Sequence, residues 1–197
     1  AQALGATFKG QQAGTFGALN AYSFHETKNC TCGEGGALII KDRRYQERAE
    51  IIRQKGTNRE QFFRGQVDKY TWVDIGSSYL PSDILAAFLY AQLENMEKIT
   101  AKRKRIYELY DEMLQPLAEK GLLTLPTVPE ECGPSYHMYY ILLRDNDTRA
   151  ALIERLKHKD ILAVFHYVPL HTSPMGQRMG YRKDMLPVTE DISERVL

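Results

Sequence analysis

Tyr22-Ser23-Phe24-His25-Glu26-Thr27-Lys28-Asn29, followed by Gly33-Glu34-Gly35-Gly36 and the apolar run Ala37-Leu38-Ile39-Ile40, is the stretch on which the reading of this 197-residue chain turns. A β-prone approach over residues 17–24 breaks into polar residues, presents one lysine, and turns through Gly33, Gly35 and Gly36 into a second apolar strand. The pattern predicts an amine carried on a short, rigid strand-to-strand connection. A solvated lysine, with a pKa near ~10.4, is a poor nucleophile at neutral pH. One held in a partly desolvated site can lose its proton and attack a carbonyl. Lys28 therefore reads as either a solvated hairpin lysine or a Schiff-base lysine, and the complete string decides for the second.

Ser23-Phe24-His25 with Lys28-Asn29 and the Gly-Glu-Gly-Gly turn resembles the cofactor-lysine signature of the DegT/StrS-type sugar-nucleotide aminotransferases, a branch of the fold-type I pyridoxal phosphate enzymes. Outward from that string, residues 1–6 (Ala-Gln-Ala-Leu-Gly-Ala) resemble the end of the family's acidic cofactor motif. His166-Tyr167-Val168-Pro169-Leu170-His171 resembles its C-terminal element. The resemblance covers essentially the whole chain in the family's order. It implies an α/β fold, the C-terminal part of a large pyridoxal 5'-phosphate domain followed by a small C-terminal α/β domain. It also implies that the chain is an internal fragment, whose partner carboxylate for the cofactor's pyridine nitrogen lies ahead of residue 1.

Under that resemblance, Lys28 bonds the cofactor aldehyde and, once displaced, shuttles a proton. Ser23 matches a phosphate-binding serine, although an ordinary strand-end serine fits the local pattern equally. Gln2 matches a residue placed near the cofactor's phenolic oxygen, where an amide donates a hydrogen bond. Gly76-Ser77-Ser78-Tyr79 occupies the place of a loop that reaches the neighbouring subunit's cofactor phosphate, with Ser78 standing where the family carries asparagine. A homodimer with shared sites follows. His25 is a substrate-side wall of the site or a hydrogen-bonded histidine, and His166, Tyr167 and His171 either face the sugar nucleotide or form the polar end of a strand. The implied reaction transfers an amino group from an amino-acid donor, glutamate, to C4 of a nucleotide-linked 4-keto-6-deoxy sugar, the dTDP form being expected, for cell-surface polysaccharide. Two rivals stand beside it. Sugar dehydratases of the same family carry histidine in place of the lysine, which Lys28 opposes, and a non-catalytic binding or dimerisation relic is the second.

Composition sets the outer limits. A 43% hydrophobic content is enough for a folded core. Lys plus Arg at 26 against Asp plus Glu at 25 gives no general attraction to nucleic acid or an anionic membrane, so an anionic ligand must be captured locally. No apolar run reaches ~18 residues and no secretory leader is visible, so the expectation is a soluble cytoplasmic protein with neither nucleic-acid nor membrane partners. Cys30, Cys32 and Cys132 lack the spacing of a zinc site and read as packed or partly exposed free thiols, with no metal.

Periodicity supplies the rest. Strands are expected at 20–24 and 37–41, and an amphipathic helix at 43–54 stopped by Gly56-Thr57-Asn58. The aromatic and charged segment 59–74 reads as either a domain-edge cover or a substrate wall. A helix capped by Ser82 is expected from 83 to about 115, ~50 Å at 1.5 Å per residue and long enough to join two domains, with Pro116 and Gly121 marking its end. That expectation divides the chain into a cofactor domain over 1–100 and a small domain over 101–197. Lys102-Arg103-Lys104-Arg105 reads as a solvated face. A strand at 136–143, a helix at 148–157 with Ala151, Leu152 and Leu156 inward, and a strand at 161–165 complete the pattern.

Overall fold

The two strands around the lysine form within a residue of the expected spans. In the computed structural model, which describes residues 1–197, the elements ahead of them are the short strands β1 (Thr7–Phe8) and β2 (Gln11–Gln12). β3 (Leu19–Ser23) then pairs antiparallel with β4 (Gly36–Ile40), in a register that sets Leu19 opposite Ile40 and Ser23 opposite Gly36. The connection is closed by backbone bonds from Phe24 N to Gly35 O at 2.8 Å and from Cys32 N to Phe24 O at 2.9 Å. Gly36 must be a glycine here, because a Cβ would stand 2.9 Å from the Tyr22 carbonyl oxygen.

A 3₁₀ turn at Arg43–Tyr45 leads into α1 (Gln46–Arg53), and α2 (Arg59–Phe63) gives the aromatic segment one helical turn. The long helix expected from residue 83 is two helices. α3 (Asp83–Glu94) begins at Ser82, whose hydroxyl accepts from Leu85 N as a cap should, and α4 (Met96–Glu119) follows after Asn95. The Asn95 amide donates to the Ala91 carbonyl at 2.9 Å, an internal partner that lets the backbone leave helical geometry although the apolar spacing runs straight through. Pro116 lies inside α4 instead of ending it. The stop is Gly121 at φ +70°, with Leu122 N bonded to Leu117 O at 3.1 Å.

β5 (Cys132–Gly133) pairs with β1 in the order β2-β1-β5, which carries residues 128–137 back beside the N-terminal segment. Contacts accordingly divide the chain into one unit of Ala1–Lys104 with Val128–His137 and another of Arg105–Thr127 with Met138–Leu197. In the second unit α5 (Asn146–Lys157) is capped by Asp145, and α6 (Pro174–Arg178) and α7 (Pro187–Arg195) follow. Hydrogen bonds from the Thr148 side chain and amide, joined by Arg144, pull the pKa of the Asp145 carboxyl down to about 2. On α5, Leu152 and Leu156 are half-buried while Ala151 is exposed, contrary to the inward position expected of it.

The strands expected at 136–143 and 161–165 do not form. Only Leu142 of the first makes bridges, to Thr124 and Val196, and Tyr136 at φ 52° breaks the extended run. An apolar run becomes a strand only when a neighbour supplies the ladder, and residues 161–165 have none. No helix is long and apolar enough to cross a membrane.

Candidate functional site

The hairpin loop brings Lys28 to the rim of a shallow depression of about 220 Å³, counting its open mouth. Ala1, Gln2, Leu4, Ser23, Lys28, Asn29, Cys30 and His137 line it. Three of the residues singled out from the sequence, Gln2, Ser23 and Lys28, thus share one pocket. The N-terminal segment is fixed there by Ser23 N bonding Ala1 O at 3.2 Å and by the Ser135 hydroxyl donating to Gln2 O at 3.3 Å. Ser23 Oγ accepts from His25 N at 3.3 Å, which leaves its own hydrogen for a ligand acceptor.

Lys28 is half-buried, and its backbone N donates to His25 O at 2.9 Å, so the lysine closes a turn. His25 does not line the depression. Its Nδ1 lies 3.1 Å from Thr27 Oγ1 and its Nε2 lies 3.5 Å from Glu34, contacts that hold the loop's shape. Cys30 and Cys32 pack beneath it at 1% and 4% exposure, and burial pushes the Cys30 thiol up, with Arg103 offsetting part of the effect. Both are packed free thiols.

Sequence reasoning missed what holds the loop from outside. Asn29 donates through Nδ2 to Ser135 O at 2.6 Å, and its Oδ1 lies 3.0 Å from His137 Nδ1. Arg103, expected on a solvated face, is half-buried and donates to Tyr136 O at 2.8 Å and to His137 O. These partners are 33 to 108 residues apart in the chain, a separation at which periodicity and turn chemistry carry no signal.

Ser78 is exposed in the first unit, on a segment whose bridge to Gln54 ties it to the end of α1. In the second unit, exposed His166 and Tyr167 border a groove with Val168, Pro169, Leu170, Val188 and Ile192. His171, expected to face a ligand with them, is turned inward at 6% exposure, with Nε2 held 2.8 Å from Glu190 Oε1. Its ring is engaged in fixing the 3₁₀ turn Leu170–Thr172 against α7.

The similarity to known proteins extends over essentially the whole chain. GDP-perosamine synthase of Escherichia coli O157:H7 is 31% identical over 199 residues, covering 99% of this chain and 50% of that protein. L-glutamine:scyllo-inosose aminotransferase of Streptomyces griseus is 34% identical over 191 residues, covering 93% of this chain and 44% of that protein. The crystal structure of a DegT DnrJ EryC1 StrS aminotransferase from Brucella abortus superposes with a TM-score of 0.81 at 28% identity, covering all of this chain and 49% of that one. The chain therefore spans about half the length of the curated relatives it matches. Its mixed α/β architecture is that of the fold-type I aminotransferases. With a family profile matching residues 1–197 from end to end, the chain belongs to the DegT/DnrJ/EryC1/StrS aminotransferase family.

Proposed function

We propose that this chain carries the cofactor lysine of a pyridoxal 5'-phosphate-dependent sugar aminotransferase, with Lys28 as the catalytic residue. The observation that supports this best is the pocket that gathers Lys28, Ser23 and Gln2 from separate segments of a chain matched to the family throughout. The donor set fits the group: an amine for an aldehyde, a hydroxyl with a free hydrogen for a phosphate oxygen, and a carboxamide for a phenolic oxygen. When bound, the cofactor supplies an electron sink for a substrate carbon.

The protein's own residues do the positioning and the proton transfer. Ser23 and Gln2 hold the two polar ends of the ligand. Lys28 Nζ, held on a closed turn, takes the proton from the donor's α-carbon and later returns one to the sugar carbon. The turn keeps the amine on one face, so the proton arrives from one side and sets the new stereocentre. His166 and Tyr167 contact the sugar nucleotide, and Ser78 reaches the cofactor phosphate of a second subunit in a homodimer. We assign glutamate as donor and C4 of a dTDP-linked 4-keto-6-deoxy sugar as acceptor, giving dTDP-4-amino-4,6-dideoxygalactose for cell-surface polysaccharide in the cytoplasm. A GDP-linked sugar is the competing acceptor, since GDP-perosamine synthase is among the relatives.

Borohydride reduction of the holoenzyme followed by peptide mapping tests the lysine. The expected result is a covalent cofactor label on Lys28, and a label on another lysine overturns the assignment. Lys28→Ala should abolish turnover while changing stability by no more than about 0.5 kcal/mol, the range for a substitution outside the core. Turnover of dTDP-linked against GDP-linked keto sugar, with glutamate as donor, decides the nucleotide.

A further inference from the structure

We propose that Asn29 is a positioning residue for Lys28, fixing both the path of the lysine's loop and the tautomer of His137 beside it. The proposal rests on the reading of Lys28 as the cofactor lysine. Asn29 adjoins Lys28 in the chain, and its side chain spans two fixed points. Nδ2 lies 2.6 Å from Ser135 O, and Oδ1 lies 3.0 Å from His137 Nδ1. A backbone carbonyl only accepts, so the amide nitrogen must face Ser135 and the amide oxygen must face the imidazole. That oxygen also only accepts, so Nδ1 of His137 carries the hydrogen. In the neutral ring Nε2 then bears the lone pair.

The two anchor points are themselves held. Ser135 is buried and its hydroxyl is bonded to Gln2 O, while Arg103 clamps the carbonyls of Tyr136 and His137. His137 lines the same depression as Lys28. Rotating the peptide that carries Lys28 would break both amide contacts and leave part-buried polar groups without partners. Asn29 thus transmits the rigidity of the 135–137 segment to the neighbouring lysine. Misplacing a reacting amine by about 1 Å is enough to cost about a hundredfold in rate. An aspartate of the same size cannot donate to Ser135 O and would set a negative charge beside the lysine and the imidazole.

The test compares the holoenzyme with its Asn29→Asp and Asn29→Ala variants. In the unsubstituted enzyme, nitrogen NMR with ¹⁵N-labelled histidine should show His137 with hydrogen on Nδ1, and hydrogen on Nε2 alone overturns the proposal. Asn29→Ala should lower kcat by about tenfold or more, with KM for both substrates held within about twofold. Asn29→Asp should move the pH midpoint of the holoenzyme's visible absorbance upward by about one pH unit, because a nearby negative charge favours the protonated lysine nitrogen. A side chain that only supports the fold would lower the melting temperature and leave both the midpoint and kcat per active site unchanged. That result overturns the proposal. If Asn29→Ala fails to fold, the isosteric Asn29→Asp decides by its midpoint alone. Borohydride labelling of the unsubstituted enzyme separates the two levels. A labelled Lys28 with unchanged variants removes only the role of Asn29, and an unlabelled Lys28 removes the reading beneath it as well.

Discussion

Glu190 accepts from His171 Nε2 and from the Asp184 amide, each at 2.8 Å, and so ties the turn after the exposed His166 and Tyr167 to α7. The hydrogen bond from His171 is the main cause that holds the Glu190 carboxyl below its ordinary range, opposed by burial and assisted by backbone bonding at Asp184 and Leu186. A carboxyl whose folded pKa is depressed stabilises the fold fully above its unfolded value, near ~4.3, and loses that contribution as pH falls through the folded value. Glu190→Gln should therefore melt at a lower temperature than the unsubstituted protein at about pH 5, with the gap closing toward about pH 3. A gap that stays constant over that window would show that the charge on Glu190 is immaterial to the pair. The same residue explains why His171 is turned inward. A histidine in a polar string looks like a ligand contact until its acceptor, 19 residues away on another helix, is seen.

At the scale of elements, the last turn of α1 is finished by a loop instead of by its own sequence. Ser77 N and Tyr79 N donate to the carbonyls of Ile52 and Arg53, and Lys55 N donates to Ser77 O, so residues 77–79 cap the helix. The loop comes this close because Gly56, at φ +74°, faces Gly76, where a Cβ would stand 2.7 Å from Gly56 Cα and 2.8 Å from Ile52 O. Gly76→Ala should destabilise the protein by about 1–3 kcal/mol, the cost of forcing an extra methyl into a closed contact. Denaturant unfolding measures it, and a loss below about 0.5 kcal/mol would mean that the loop yields freely. What could be read beforehand follows from reach. The hairpin around Lys28, the Ser82 cap and the helix stop at Gly56 were legible because β-prone runs, capping and turn chemistry act over a few residues. The break at Asn95 was hidden by an apolar spacing that continues across it. The absent strands at 136–143 and 161–165, and the Asn29 clamp, depend on partners far off in the chain, which no local pattern names.

For the whole molecule, the decisive surface runs from residue 72 to residue 88. Trp72, Ile75, Tyr79, Ile84 and Phe88 are all more than half exposed, with Ile84 at 82%. Exposed apolar side chains also occur elsewhere, Leu162 and Leu170 among them, and such residues mark surface that a partner can cover. Ser78 stands in the middle of it, at the place where the family resemblance implies a loop serving the neighbouring subunit's cofactor. Oligomers of one chain are mostly closed and two-fold, so in the homodimer proposed above this surface would meet its own copy and each Ser78 would serve the opposite site. Light scattering should then give a dimer or a multiple of it, and Ile84→Asp should reduce that mass and the activity together while the monomer stays folded. Ser78→Ala removes one hydrogen bond to a charged phosphate at the periphery, worth about 1.5–3 kcal/mol, so cofactor retention should weaken by about tenfold or more without loss of the dimer. A monomer of undiminished activity would separate catalysis from assembly, and Ser78 would then have no site to complete.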